Sequence, residues 1–235
     1  MRTVLVTRPE PGATRTAERL RALGFTPLLL PLTKIVPLDI KPPEAPFDAV
    51  AITSANALRH MPEVFLATML DLPCFAVGET TGAIARSMGF RIVVSGDGGG
   101  ASLARTINGS LPADARILYL TGRVRSPEFE QAVAQAQRQI LALECYDTAL
   151  RRYSADYLRD RFRGNPIDAC VLYSRQGAEA FNELINIPVI SHLFEKTQFF
   201  CLSRGIAEVL PGNKAGSIRI AARPDETALL ALLQT

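Results

Sequence analysis

Asp48–Asn56 reads DAVAITSAN, and Asp168–Gln176, at an offset of 120 residues, reads DACVLYSRQ. Each is an aspartate, an apolar run, and then a serine followed by small or polar groups. An apolar run without alternation is what a strand carries when both faces of its sheet are covered, so each segment reads as a strand of a parallel sheet. Such sheets place ligands at the carboxyl ends of their strands, where the two serines fall. The flanking segments repeat too. CFAVGETTGAIARSMG with RIVVSG pairs with FFCLSRGIAEVLPG with IRIAAR at an offset of about 125, and ASLARTI pairs with TALLALL slightly further on. The last pair runs in the other order: RILYLTGR, its helix and ILALECYDT match RTVLVTRP, its helix and PLLLPLTKI about 114 residues backwards.

The repeat therefore makes two halves from the same elements, with the first half wrapped around the second. The N-terminal strand–helix–strand must return to join the C-terminal elements. The predicted fold is α/β: two similar doubly wound parallel-sheet domains of about five strands each, a permuted duplication. The split domain comprises residues 1–36 and 149–235, and the inserted domain residues 37–148. A proline-rich stretch, Pro37–Pro46, with Lys41 and Glu44 exposed in it, reads as a stiff linker at one crossing. Thr148–Arg152 is the other crossing.

Periodicity places strands at Arg2–Thr7, Phe25–Leu32, Asp48–Thr53, Cys74–Val77, Arg91–Ser95, Ile117–Leu120, Ile140–Tyr146, Asp168–Tyr173, Phe199–Leu202 and Ile218–Ala221. Pro27 and Pro31 suit an edge position for the second. Helices follow from Ala13, Ala17 and Leu20 with Gly24 as the stop, from about Ala55, from Ile84 and Met88 facing inward, and from Leu103 and Ile107. The longest helix is expected over about Ser126–Gln139, with Phe129, Val133, Ala136 and Ile140 on one face. Tyr153–Arg163 reads as a short helix. Phe181, Leu184 and Ile185 mark another helix, and Thr227–Leu233 the last.

Several function classes are disfavoured. No apolar run approaches the roughly 20 residues of a membrane span, and MRTVLVTRPEPG reads as a strand entering a turn rather than a signal peptide. Cys74, Cys145, Cys170 and Cys201 lie far apart in apolar runs, as buried thiols of a cytoplasmic protein do. His60 and His192 have no ligand spacing and read as surface or loop residues, so no metal is expected. The net charge of +3 is too small to argue for nucleic acid. It divides as −3 over residues 37–148 and +6 over the rest, which is either surface drift or a pull on an anionic partner. The glycine loop Ser95–Gly100 lacks both phosphate-binding spacings and reads as a plain mobile loop. Ser54 and Ser174 end strands outside any GxSxG context, so no activated nucleophile is apparent.

What converges is a set of hydroxyls, backbone amides and arginines at strand carboxyl ends. In the inserted domain these are Ser54, Asn56, Gly78, Thr80, Thr81, Thr121, Gly122 and Arg123, with Arg125 nearby. In the split domain they are Thr7, Arg8, Ser174, Arg175, Ser203 and Arg204. Exposed helix N-terminal amides and planar guanidinium groups both suit carboxylates. Capping or loop structure is the alternative for each residue taken singly. Tyr146, at the end of ILALECY, is either a proton donor or an interface tyrosine with its hydroxyl satisfied.

In order and spacing, VLVTRPE, RLRALGF, LPLTKI, DAVAITSANAL, CFAVGETTGAIARSMGF, the glycine loop before SLARTI, ILYLTGR, ECYDT and DACVLYSRQGAEAF resemble the uroporphyrinogen-III synthase family over nearly the whole chain. The resemblance implies two α/β domains joined by a two-stranded connector, with the ligand cleft between them. It implies a cyclising hydro-lyase that closes the linear tetrapyrrole hydroxymethylbilane with loss of water and inversion of ring D, through an azafulvene and a spiro intermediate, without a metal or organic cofactor. The chain is then expected to be a cytoplasmic monomer acting on a small molecule, without nucleic acid or membrane. By the family's pattern, Tyr146 matches the tyrosine that assists hydroxyl departure, and Thr80 or Thr81, Ser54 and Ser174 match cleft hydroxyls. In one place the pattern differs. The family's Gly-x-x-Thr-Ala turn is here Ser203-Arg204-Gly205-Ile206-Ala207, so that threonine is missing, and the alternatives are that Ser203 replaces it or that Arg204 binds a carboxylate directly. Two other readings compete: a two-domain cytoplasmic protein closing on a small polyanion without chemistry, and a flavodoxin-like nucleotide or flavin protein. The lack of a phosphate loop after the first strand weighs against the latter.

Overall fold

The computed structural model describes residues 1–43, 46–212 and 217–234, so Glu44 lies outside the described residues. In chain order the elements are β1 (Thr3–Val6), α1 (Gly12–Ala22), β2 (Thr26–Leu29), β3 (Thr33–Pro37), β4 (Ala49–Ile52), α2 (Ala55–Arg59), α3 (Glu63–Ala67), β5 (Cys74–Ala76), α4 (Glu79–Ser87), β6 (Val93–Ser95), α5 (Gly100–Ser110), β7 (Arg116–Gly122), α6 (Pro127–Gln135), β8 (Gln139–Leu150), α7 (Ala155–Phe162), β9 (Ala169–Leu172), α8 (Arg175–Ile185), β10 (Gln198–Cys201), α9 (Arg204–Ala207), β11 (Ile218–Ile220) and α10 (Glu226–Ala231). The chain falls into two compact units, Met1–Lys34 with Ala149–Thr235, and Ile35–Thr148.

The split unit holds a five-stranded sheet in the order β11-β10-β9-β1-β2. All its strands are parallel, with Val4 opposite Ala169 and Pro27. The N-terminal strand thus pairs with one 165 residues on, as the permutation requires. β2, with Pro27, is the sheet's edge. The continuous unit holds six strands in the order β3-β8-β7-β4-β5-β6. Its last five run parallel. β3 and β8, the strands in which the chain passes between the units, are laddered by Leu38 N–H to Cys145 C=O at 3.2 Å and Arg151 N–H to Leu32 C=O at 2.8 Å. Read as β2-β1-β9-β10-β11 and β8-β7-β4-β5-β6, the two orders put each strand where its sequence copy stands.

Alternation on the central strands feeds two cores per unit. Leu5 lies with Phe181, Phe194 and Phe199, while Val4 and Val6 face Phe200, Leu229 and Leu233. Val50 and Ile52 lie with Leu118 and Leu120, while Ala49 and Ala51 face Ile117, Tyr119 and Phe129. The aspartates that open the two copies do the same work at the amino ends. Asp48 accepts from Arg116 N–H at 2.7 Å and donates its own N–H to Arg116 C=O at 2.9 Å. Asp168 does so with Thr3, at 2.6 and 3.1 Å.

One helix differs from expectation. α6 ends at Gln135, so it is shorter than α1, α5 and α8. Gln137 takes a left-handed φ of 53°. Arg138 bonds the C=O groups of Asn108 at 3.1 Å, of Leu111 at 2.9 Å and of Pro112 at the end of α5. This long-range capping reverses the chain before Ile140, which joins β8 instead of the helix face. On α4 the buried positions are Thr81, Gly82 and Ala85, with Ile84 and Met88 packed half-buried against the same core.

Candidate functional site

β7 and β8 pair in regular register up to Thr121↔Glu144, and then Gly122 faces Tyr146. Cys145 is therefore the extra residue of a β-bulge. A regular strand sends neighbouring side chains to opposite faces of the sheet, whereas Cys145 and Tyr146 both join the core that holds Ile52 and Leu120. The Tyr146 ring lies on Gly122, where an added Cβ would stand 2.6 Å from its Cζ. Arg123 N–H donates to the Tyr146 carbonyl at 2.8 Å. Ser54 follows β4 and caps α2, accepting from Asn56 N–H at 3.3 Å. The His60 ring stands 6.4 Å from the Tyr146 ring. Burial pushes the Tyr146 phenol above its usual pKa, with the Ser54 hydroxyl acting weakly the other way. Burial and the nearby Arg59 push His60 down. At neutral pH the phenol is thus protonated and the imidazole neutral.

Around this centre lie the other groups of the continuous unit's rim. Gly78 opens α4, with Thr80 exposed and Thr81 buried. The glycine loop is tied to this rim, since Gly96 N–H donates to Ala76 C=O and Gly98 N–H to Val77 C=O, each at 2.8 Å. A Cβ on Gly78 would meet the Gly98 Cα at 3.3 Å, so these glycines allow the close approach. Thr121 is buried and donates to Gly122 C=O at 3.2 Å. Asn56 Oδ1 accepts from Arg59 at 2.9 Å. Arg123 pairs with Asp147 at 2.8 Å and Glu144 at 3.5 Å, and Arg125 with Glu144 at 3.2 Å and Glu130 at 3.3 Å.

In the split unit, Thr7 and Arg8 follow β1, Ser174 and Arg175 follow β9, and Ser203 and Arg204 follow β10. Arg8 is already engaged: its guanidinium lies 4.1 Å from the Tyr173 ring centre and 3.2 Å from Glu226. Glu226 also accepts from Arg19 at 2.8 Å, from Tyr173 at 2.7 Å and from Thr16. Burial raises Glu226, but these two hydroxyls and two guanidinium groups together hold it below the usual carboxylate range. Ser174 caps α8 through Gly177 N–H at 3.0 Å, and Arg175 pairs with Glu179 at 3.2 Å. The Ser203 side chain makes no cap bond, and Arg204 has no ion pair among the described residues. Those two groups, in the turn that departs from the family's pattern, are the ones left open.

Sequence reasoning missed the Glu226 cluster and the Thr53–Tyr119 hydroxyl pair at 2.8 Å. Both join distant segments, and no local spacing marks them. The four cysteines are free and buried, and burial pushes Cys74, Cys145 and Cys201 up to about 12, so none is a poised nucleophile. Among the described residues no cluster of His, Cys, Asp and Glu could hold a metal ion, and no helix is long and apolar enough to cross a membrane.

The HEM4 family model, described as uroporphyrinogen-III synthase HemD, matches residues 14–231. Among solved structures, a uroporphyrinogen-III synthetase from Helicobacter pylori is similar at a TM-score of 0.71 and 16% identity, covering 100% of this chain and 99% of that one. A mutant uroporphyrinogen III synthase from Thermus thermophilus is similar at a TM-score of 0.55 and 16% identity, covering 100% and 98%. At these identities the two likenesses are of fold. No curated protein matches the chain by sequence.

Proposed function

We infer the chemistry of this site from a plain premise: the chain belongs to the uroporphyrinogen-III synthase family, whose model matches residues 14–231. It is accordingly an enzyme of tetrapyrrole synthesis, and the reading as a binding protein without chemistry is not favoured. In the finer reading it is a cyclising hydro-lyase acting on hydroxymethylbilane. Tyr146 passes its proton to the substrate's terminal hydroxyl, and the C–O bond breaks with its electron pair leaving on water. The terminal pyrrole nitrogen supplies the electrons of the new exocyclic double bond, giving an azafulvenium ion and a phenolate. The ring carbon then attacks, by way of the spiro intermediate that inverts ring D. The proton lost on closure returns to Tyr146. Orientation and charge placement do the rest, because the substrate is already reactive.

The observation that carries this reading is the buried Tyr146 ring, seated against Gly122 by a bulge at the carboxyl end of the sheet. The substrate's carboxylates are assigned to Ser54, Asn56, Gly78, Thr80, Thr81, Gly122 and Arg123 on one rim, and to Ser174, Arg175, Ser203 and Arg204 on the other. Arg204 is the strongest candidate, being unpaired among the described residues, whereas Arg8 would first have to release Glu226. Buried free thiols suit a reducing compartment, so the enzyme is assigned to the cytoplasm, and it is assigned as a monomer. The test supplies freshly generated hydroxymethylbilane and separates the product isomers. An excess of isomer III over the spontaneous isomer I blank is expected, and no excess overturns the reading. Tyr146→Phe is expected to lower kcat by at least about tenfold while the protein stays folded.

A further inference from the structure

Glu226, the first residue of α10, takes more donors than its carboxylate readily serves. Oε2 accepts from Arg19 at 2.8 Å. Oε1 accepts from Tyr173 at 2.7 Å, from Arg8 Nη1 at 3.2 Å and from Thr16. An oxygen offers two lone pairs, so three donors crowd Oε1, and Arg8 is the more distant of the two arginines. The Arg8 guanidinium is in turn underused. Nη1 makes both of its hydrogen bonds, to Glu226 and to Thr16 at 3.4 Å, and Nε and Nη2 make none among the described residues. Its place does not depend on Glu226 alone: it lies 4.1 Å from the Tyr173 ring centre and against Gly12, where an added Cβ would stand 2.5 Å from Nε. The Arg8 side chain is 27% exposed, so a solute can reach it. The internal repeat shows that the pair is not a demand of the fold. At an offset of 114 Arg8 corresponds to Gly122, and the offset that aligns ASLARTI with TALLALL sets Glu226 against Gly100. A Cβ on Gly100 would stand 2.7 Å from the backbone nitrogen of Phe129, which leaves no room for a carboxylate there. One unit of the same architecture thus folds with glycine at both positions.

We propose that Glu226 is an internal stand-in for a substrate carboxylate: it holds Arg8 until hydroxymethylbilane binds and then yields it, and so sets how strongly the split unit's rim grips the substrate. In the exchange Arg8 trades one shared bond for a carboxylate that can take two of its nitrogens. Glu226 keeps Arg19, Tyr173 and Thr16, so it is not left as an uncompensated, half-buried charge. The proposal rests on the reading of the chain as acting on hydroxymethylbilane, and it supplies the release that Arg8 needs there.

The experiment uses the full chain with freshly generated hydroxymethylbilane and takes KM from initial rates of isomer III. Arg8→Gln is expected to raise KM about fivefold. Glu226→Gln keeps an acceptor for the hydroxyls but no longer holds Arg8 by charge, so KM is expected to fall about threefold. Tyr173→Phe keeps the ring beside Arg8 but withdraws a donor from Oε1. Glu226 then depends more on Arg8, and KM is expected to rise about threefold. In the Arg8→Gln background, adding Glu226→Gln is expected to leave KM where Arg8→Gln put it. A role in stability alone would not move KM in opposite directions. A KM unchanged or raised in Glu226→Gln overturns the proposal. So does a fall that persists in the Arg8→Gln background, which would report only the loss of a negative charge near a polyanion. If Glu226→Gln does not fold, Tyr173→Phe decides, and a KM that fails to rise overturns the proposal. A parent that forms no excess of isomer III is a different failure: it overturns the reading of the substrate itself.

Discussion

At Gly122 an added methyl would stand 2.6 Å from Tyr146 Cζ and 3.0 Å from its hydroxyl oxygen. The ring cannot yield downward, because the bulge has already committed it to the core side of β8. Gly122→Ala is expected to cost about 1–3 kcal/mol of stability through overpacking. It should also lower kcat by at least about tenfold by displacing the phenol from its seat. Thermal melts and isomer-III rates measure the two, and a variant at parental rate would mean the ring position is not critical. Glu226 makes a second prediction. Its pKa is held below the usual value in the folded protein, so its contribution to stability is complete above the unfolded value near 4.5 and is lost as pH falls through the lowered folded value. Glu226→Gln lacks that titration. The gap in melting temperature between parent and variant should be constant near neutrality and should shrink below about pH 4.5. A gap that widens on acidification would reverse the sign. Tyr146 could be found in the sequence because it ends an apolar run. The Glu226 grip could not, because its arginines stand 207 and 218 residues away along the chain.

At the scale of elements, strands were legible because burial on both faces leaves a short unbroken run of apolar residues ending in small polar groups, as in AVAI and ACVL. The end of α6 was not legible. Ala132–Gln139 keeps good helix formers at helical spacing, and the stop comes from Arg138 reaching the last carbonyls of α5. The register shift at Tyr146 was equally hidden, since a bulge is set by both strands and not by one. The paired aspartates were visible as a repeat, but their place is the amino end of each sheet. Each carboxylate fixes the first N–H of the neighbouring strand, of β7 for Asp48 and of β1 for Asp168. Because the two bonds have the same geometry, Asp48→Ala and Asp168→Ala should destabilise by similar amounts, about 1 kcal/mol each. The Asn variants should be milder, because an amide oxygen still accepts. Denaturant midpoints at unchanged m would measure this, and a large effect from one aspartate alone would break the equivalence.

For the whole molecule, the permuted order of the copies carried most of the information. It required β1 to sit between β9 and β2, which no local propensity suggests, and the register Val4↔Ala169 is the result. The cores follow the same division. The clusters around Phe181 and Phe200 draw only on residues of the split unit, and those around Leu118 and Phe129 only on residues of Ile35–Thr148. A defect in one core should therefore be felt first within its own unit. Phe129 is fully buried and packs edge-on to Tyr119 with ring centres 4.8 Å apart. Phe129→Ala should cost about 3–5 kcal/mol, and native-state hydrogen exchange should show where. Amides of β4, β5 and β7 are expected to lose protection, while those of β1, β9 and β10 keep most of theirs. Phe181→Ala should give the converse pattern. Equal loss in both sheets from either variant would show one cooperative unit, in which the duplicated cores had lost their separate stabilities.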